Sequence, residues 1–477
     1  MANPLPEPVS AGEPAIAEAI GAFAVDLDWD RVPETVRHRA KLLILDALGI
    51  AIAANRYPFA ATIGAGLADL AALDGGQGTF HVIGSRDRLP LRDAIIANGA
   101  LIHGLDFDDT HMASVVHATA VSLPVALSVG EAVDADGRSL LAAYLAASEV
   151  AIRVGLTANF GFHDRGLHAT GVAGHFSSAV AAGRLFGLDT KAMAGAQGIV
   201  GSTAMASQEF VADGAWNKRF HPGWAGVAGI TAAKLAECGF VAPGLPYEGR
   251  FGLFRSLLGD QAYDITQMTA GLGTVWQTEL SAIKPFPTCH FTHAPADCAL
   301  ALAREHDIRP EQIDRISVSI PEGTIPVIAE PRAAKLHPVS DYDAKFSVQY
   351  IVAAALHRRR FGLAELDQES LSDPDILETA AKVSHDADPR SLFPKAYSGG
   401  VTITLTSGET LVRYDPVNRG AGDRALSEDD VVEKFMGNAT LVVDENKATA
   451  VRQIIMDLEQ HSARSLLSEL SGGSRHQ

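Results

Sequence analysis

From Glu13 to about residue 275 the chain is a succession of Ala- and Leu-rich apolar stretches of helical length, separated by Gly, Pro or Asp-Gly breaks. Beyond about residue 280 that pattern gives way to alternation. This change of period constrains the fold more than any other feature, because a 3.6-residue repeat and a two-residue repeat cannot bury the same face. Over Glu34 to Ala54 the residues Ala40, Leu43, Ile44, Ala47, Leu48 and Ala51 recur at helical spacing, and Pro33 suits the first turn. Asp134-Ala-Asp-Gly137 reads as a turn before a helix over Ser139 to Thr157. Gly171, Gly174, Ser177, Ser178, Ala181 and Ala182 give a further helix an unusually small side. Glycine otherwise weakens a helix, so this predicts close packing against neighbours.

Past the change, Ile313 to Ile320 alternates like a strand, and Val401 to Leu405 with Leu411 to Tyr414 brackets Thr-Ser-Gly-Glu as a hairpin. Tyr342 to Arg358 between them is amphipathic and helical. Ser427 with Asp430 reads as a capping box, and Asn446 to Leu470 as one long final helix before a flexible tail, Ser-Gly-Gly-Ser-Arg-His-Gln. The predicted fold is mainly α with an α+β part. An all-helical domain is built from both chain ends, residues 1–275 and 413–477, and a smaller α+β domain occupies 276–412.

A length of 477 residues suits two or three domains with ample apolar core. The three cysteines, Cys238, Cys289 and Cys298, form no CxxC pair, which argues against a disulfide framework, a zinc ribbon or an iron-sulfur cluster and points to a reducing cytoplasm. The leader Met-Ala-Asn-Pro-Leu-Pro-Glu-Pro-Val-Ser lacks the pattern of a secretory signal, so no export is expected. Apolar stretches such as Leu42 to Ala54, broken by Asp46, fall short of the roughly 20 residues that cross a bilayer, so no membrane partner is expected. A formal net charge of -18 disfavours nucleic acid. A small anionic substrate then requires local reversal of the field, which draws attention to Lys218, Arg219 and Lys284 in apolar, Gly-rich segments.

Residues 103 to 117, His-Gly-Leu-Asp-Phe-Asp-Asp-Thr-His-Met-Ala-Ser-Val-Val-His, concentrate three carboxylates, three imidazoles and two hydroxyls in apolar surroundings. Such crowding shifts proton affinities toward useful ranges; the bland alternative is a helix end with solvated acids. Asp106-Phe-Asp-Asp109 matches the DxDD of some terpene cyclases, but aromatic residues, needed to wall a carbocation pocket, are 6% of the chain. Met112 breaks a DDxxD diphosphate motif. His103, Asp106 and His111 are a metal set by ligand type, without a second cluster at established spacing.

His168 precedes a helix whose N-terminal dipole would lower an imidazole pKa, making it a neutral base near pH 7 or, more blandly, a cap. The polar segment 213–224 carries Lys218 and His221, three apart and able to share a face if the segment turns helically. Lys284, His290 and His293 fall at the predicted domain junction. No Ser-His-Asp elbow, phosphate loop or dinucleotide fingerprint competes, so acid–base chemistry on carbon beside a carboxylate is the inference.

Five segments then carry a resemblance: HxLDFDDTH at 103–111 with His117 beyond it, GxHxTGVAG at 166–174, KxxHxGW at 218–224, KPxPxCHxTH at 284–293 and DAKFSxQY at 343–350. Together they resemble the MmgE/PrpD family, which includes 2-methylcitrate dehydratases, cis-aconitate decarboxylases and iminodisuccinate epimerases. The resemblance implies a helical domain from both chain ends, an α+β lid, a homodimer, and neither metal nor organic cofactor. It places Asp106, Thr110, His117, His168 and Lys218 in the pocket with either His290 or His293. The family's decarboxylases carry a tyrosine shortly before the position of Pro338, where this chain reads Arg-Ala-Ala-Lys-Leu-His. Its proteobacterial 2-methylcitrate dehydratases have Asn for the second Asp of DFDD and a longer spacer before its histidine.

The expected activity is that of a cofactor-independent hydro-lyase acting on a small hydroxy-di- or tricarboxylate. His117, His168, Lys218 and Asp106 would be catalytic, and Thr110, Arg219, His221, Lys284, His290 and His293 would bind substrate. The alternatives are an epimerase of an amino- or imino-dicarboxylate using two bases, then a decarboxylase, and last a non-enzymatic helical scaffold.

Overall fold

The computed structural model describes residues 14–76, 78–420 and 422–472. The leader at 1–10 and all but the first two residues of the C-terminal tail lie outside them. Two compact units are present. Of the described residues, the larger unit takes those up to Phe210, Trp216–Ile283 and those from Ser427 on; the smaller takes Val211–Ala215 and Lys284–Leu426.

The larger unit is helical apart from two two-stranded ladders, Phe80–His81 with Arg88–Leu89 and Thr110–His111 with Ser281–Ala282. Its centre is the helix Gly137–Ala158, started by the Asp136 carboxylate accepting from Ser139 N–H at 2.7 Å. Ala118–Ala132 and Ala169–Leu185 pack on it, Asn217–Glu237 packs on Ala169–Leu185, and Leu91–His103 lies against Asn217–Glu237. Gly137–Ala158 is long and apolar enough to span a membrane, contrary to the expectation that no stretch reaches that length, but 94% of its most apolar window is buried within the fold. The small-sided helix is explained by packing. A Cβ on Gly174 would sit 2.6 Å from Val121 Cγ1, one on Gly99 2.7 Å from Gly223 N, and one on Gly223 2.5 Å from Ile96 Cα. Glycine therefore lets backbones touch, which draws the end of Leu91–His103 and the start of Asn217–Glu237 together.

The chain returns through Glu428–Ala439, which packs on Glu34–Ala54 with Phe435 over Gly49 and Lys434 paired to Asp46 at 2.7 Å. Ser427 and Asp430 form the expected capping box. The expected single final helix is instead Glu445–Met456 and Ala463–Leu470. The interruption has a cause: Ser462 caps the second helix by accepting from Ser465 N–H, and His461 O accepts from Gly137 N–H at 2.7 Å.

In the smaller unit, strands β1 (Ile313–Ile320), β2 (Val383–Ala387), β3 (Gly399–Leu405) and β4 (Thr410–Asp415) form one sheet in the order β2-β1-β3-β4. The β1–β2 pair is parallel; β3–β4 is the expected hairpin, with Ile403 opposite Leu411. Ile316, Val318, Ile320, Val401 and Ile403 are buried, and the helix His293–Glu305 packs on β3 and β4. The helix expected over Tyr342 to Arg358 is split into Asp341–Ala344 and Val348–Arg358, because Ser347 turns to cap the second by accepting from Tyr350 N–H at 3.0 Å. The main run of the smaller unit, Lys284–Leu426, begins and ends later than the 276–412 expected, and the unit also takes Val211–Ala215. Ser281–Ala282 pairs with Thr110–His111, and the segment after β4 stays with the sheet through Arg424 to Asp415 at 3.1 Å and Asn418 N to Tyr397 O at 3.1 Å.

Candidate active site

The helix Leu91–His103 ends on His103, and the acidic run then folds back in a loop held at both ends. Asp106 and Val115 have φ of 52° and 54°, in the left-handed region. Asp tolerates that region; a β-branched valine does not, and such a residue stores on the order of 1–3 kcal/mol of strain. It persists because Thr110 and His111 are paired to Ala282 and Ser281, His111 N–H donates to Val116 O at 2.9 Å, and Val115 N–H donates to His111 O at 2.8 Å. The loop delivers His117 as the N-cap residue of Ala118–Ala132, with its N–H on Thr170 Oγ1 at 3.1 Å. His168 stands at the equivalent position before Ala169–Leu185, its N–H on Ala206 O at 2.8 Å.

Three imidazoles from distant segments thus meet. Ring centroids are 4.7 Å apart for His103 and His117, 5.5 Å for His103 and His168, which stack, and 6.3 Å for His117 and His168. His103 Nδ1 lies 2.8 Å from Asp108 Oδ2. His117 Nδ1 donates to the Asp109 carbonyl at 2.8 Å, with Asp108 Oδ2 at 3.5 Å and Thr110 Oγ1 at 3.3 Å. His168 Nδ1 faces His221 Nδ1 at 3.1 Å. Burial first, and then the neighbouring His103, His221, Lys218 and His117, hold His168 well below the usual histidine range. Dehydration leads these causes. His221 is lowered to about 4 for the same first reason, with His103 and Lys218 adding to it.

The segment 213–224, expected as a polar loop, is helical from Asn217. That puts Lys218 and His221 on one side, and Lys218 Nζ donates to Asp106 Oδ1 at 2.8 Å, the lysine side chain being 9% exposed. Arg219 stacks on aromatic rings: its guanidinium lies 4.2 Å from the Phe59 ring centroid and 5.6 Å from that of Trp216, a cation–π position. His111, which ligand type alone grouped with His103 and Asp106, lies outside the sets that converge. Its ring bonds to Ser114 Oγ at 3.0 Å, and among the described residues the sets able to converge on an ion are His103, His117 and His168, or Asp106, Asp108 and His117.

A second layer of charge lies behind the loop. Asp109 is pushed up to about 7 by burial and then by Asp108, and Asp46 up to about 6 by burial that the adjacent Lys434 partly offsets. Lys434 also donates to Phe107 O at 2.9 Å and lies over the Phe107 ring, so the C-terminal return braces the acidic run. Sequence reading missed this support and did not single out Asp108 as the partner of His103. The available signal was Asp46 itself, one carboxylate in the otherwise apolar stretch Leu42 to Ala54.

The remaining candidates belong to the smaller unit. Lys284 is 1% exposed. His290 receives a hydrogen bond from Asn418 Nδ2, and Tyr397 sets its ring edge-on to His290 at 5.5 Å. His293 Nε2–H donates to Thr288 O at 3.1 Å, and its ring lies 4.6 Å from that of His290.

Family models for the MmgE/PrpD N-terminal domain and C-terminal domain match residues 18–266 and 286–460. The chain belongs to the MmgE/PrpD family. Cis-aconitate decarboxylase of Aspergillus terreus is 25% identical over 492 residues, covering 97% of this chain and 96% of that protein. The mouse protein of the same name is 26% identical, covering 96% and 94%, and the human one 29%, covering 81% and 80%. Those relatives are lyases. The N-terminal match lies in the larger unit apart from Val211–Ala215, and the C-terminal match covers the smaller unit from residue 286 and continues into the larger from Ser427.

Proposed function

We propose that the larger unit carries a lyase site for a small di- or tricarboxylate, opening on removal of a proton from carbon beside a carboxylate. The observation that carries this is His168: a buried imidazole held neutral and packed against two others, with Lys218 paired to Asp106 nearby. A neutral imidazole accepts a proton at pH 7, and a positioned base contributes ~10²- to 10⁴-fold. The electron pair released from the C–H bond moves into the carboxylate, where the Lys218 ammonium stabilises the aci-carboxylate. Collapse of that intermediate re-forms the carboxylate and makes the C=C bond as the β C–O bond breaks. His117, entering protonated with its Nδ1 on the Asp109 carbonyl, gives its Nε2 proton to the departing hydroxyl, and water leaves. Asp106 orients Lys218, Thr110 supports His117, and His221 fixes the His168 ring.

A second reading, decarboxylation, is favoured by the similarity to cis-aconitate decarboxylases along nearly the whole chain. The same base and cation serve it with the roles reordered, since loss of carbon dioxide leaves a carbanion that an imidazolium protonates. Incubation in heavy water with citrate, methylcitrate, cis-aconitate and aminosuccinate derivatives separates these. A new double bond seen by ultraviolet absorbance supports dehydration, and carbon dioxide release moves the assignment to decarboxylation. Deuterium uptake with inverted chirality moves it to epimerisation. No change in any acid overturns the substrate class.

A further inference from the structure

Each of the three clustered imidazoles has its Nδ1 held by another protein group: His103 by the Asp108 carboxylate at 2.8 Å, His117 by the Asp109 carbonyl at 2.8 Å, His168 by the His221 ring at 3.1 Å. A carboxylate and a carbonyl can only accept, so His103 and His117 carry hydrogen on Nδ1 and, in their neutral form, have the lone pair on Nε2. His103 Nε2 and His168 Nε2 are buried with no hydrogen-bond partner. A hydrogen on His168 Nε2 would be a buried donor without an acceptor, so that hydrogen also belongs on Nδ1, shared with His221. Imidazoles that ligate metals are oriented in this way, with a carboxylate or carbonyl behind one nitrogen fixing the lone pair on the other.

One ring nitrogen, Nδ1 or Nε2, from each of His103, His117 and His168 lies within 4.8 Å of the others. Zn–N bonds of about 2.0–2.1 Å place tetrahedral ligand nitrogens roughly 3.4 Å apart, so inward ring shifts of about 1 Å close the set. We propose that His103, His117 and His168 bind one divalent ion of the zinc class, with water as the fourth ligand. An all-imidazole set selects zinc, copper or nickel over magnesium and calcium, which take oxygen. The other converging set, Asp106, Asp108 and His117, is less suited because Lys218 engages Asp106 at 2.8 Å and His103 engages Asp108 at 2.8 Å. The Asp106 charge also offsets that of Lys218, which otherwise repels a cation. Such an ion takes the lone pairs of both histidines assigned to proton transfer, so on the reading above it is an inhibitor. The binding itself does not rest on that reading.

The test is titration of the chelator-treated full chain with Zn²⁺ against a chromophoric chelator and with Co²⁺ by visible absorption. One equivalent per chain is expected, with the spectrum of a four-coordinate nitrogen site. Asp108→Asn should weaken binding by about 10- to 100-fold, as loss of a partner behind a ligand does, and His103→Ala by at least as much. Anomalous scattering from zinc-soaked wild-type crystals, with a peak among the three rings, decides the matter even where a variant fails to fold. No bound equivalent, unchanged affinity in His103→Ala, or a peak elsewhere overturns the proposal. Zinc binding without turnover of any carboxylate rejects the reaction alone, and turnover without zinc binding rejects the metal site alone.

Discussion

The two units each bury a group of histidines, and the groups differ in the charge set against their rings. In the smaller unit His290 takes a hydrogen bond from Asn418, and His293 gives its Nε2 hydrogen to Thr288 O, both neutral partners. In the larger unit His103 lies on the Asp108 carboxylate, and Lys218, paired to Asp106, acts on His168. Rings held by neutral neighbours belong to the packing. Rings crowded with charge have the shifted proton affinities that mark chemistry.

The largest expected effect that would break this contrast is on turnover. His168→Ala should lower it by about 10²- to 10⁴-fold with no loss of thermal stability in a melting experiment. A variant that unfolds without losing specific activity would make His168 a packing residue like His293. Next is the Lys218–Asp106 pair, whose side chains are 9% and 1% exposed. Lys218→Met leaves a buried carboxylate without its cation, and should destabilise by about 3–5 kcal/mol in denaturant unfolding. Adding Asp106→Asn should restore a large part of that; simple additivity would show that the two charges are not coupled.

The third expectation concerns pH. His111, His163 and His221 are lowered to about 4, chiefly by burial, so the unfolded chain binds their protons near pH 6.5 while the folded chain does not. Each contributes about 3 kcal/mol of stability that is complete above pH 6.5 and lost as pH falls toward 4. Asp109 and Asp46, raised to about 7 and about 6, act in the opposite sense, because the folded state holds their protons where the unfolded state has released them. Three histidines, with His168 displaced the same way, outweigh two carboxylates. The melting midpoint should fall between pH 7 and pH 5, and a rise over that range would reverse the balance. The smallest effect is expected in the other unit, where Asn418→Ala removes the donor to buried His290 and should cost about 1–3 kcal/mol of stability. No loss there would mean that His290 is not held as packing.

Much of the fold was legible because it follows from local period. The Glu34–Ala54 helix, the β3–β4 hairpin and the capping box at Ser427 were all readable from residues within a few positions of one another. The breaks at Asp457 to Ser462 and at Lys345 to Ser347 were not, because in both a serine cap prevails over a continuous apolar stripe. The candidate site divides along the same line. His117, His168, Lys218 and Asp106 stood out as residue types in apolar surroundings. The Arg219 guanidinium did so equally well, yet its partner Phe59 is 160 residues away in the chain, and no local pattern tells a stacked guanidinium from one facing a ligand.

The amino-acid order, through periodicity and caps, determined which segments are helix or strand and where charge is crowded. Tertiary structure alone decided which ring meets which partner. That depends on backbone crossings such as Gly99 against Gly223, on a loop pinned by residues 281–282, and on Lys434 returning from the far end of the chain to brace Asp46. Hydrogen bonds act over about 3 Å of space, and separation along the chain does not set that distance.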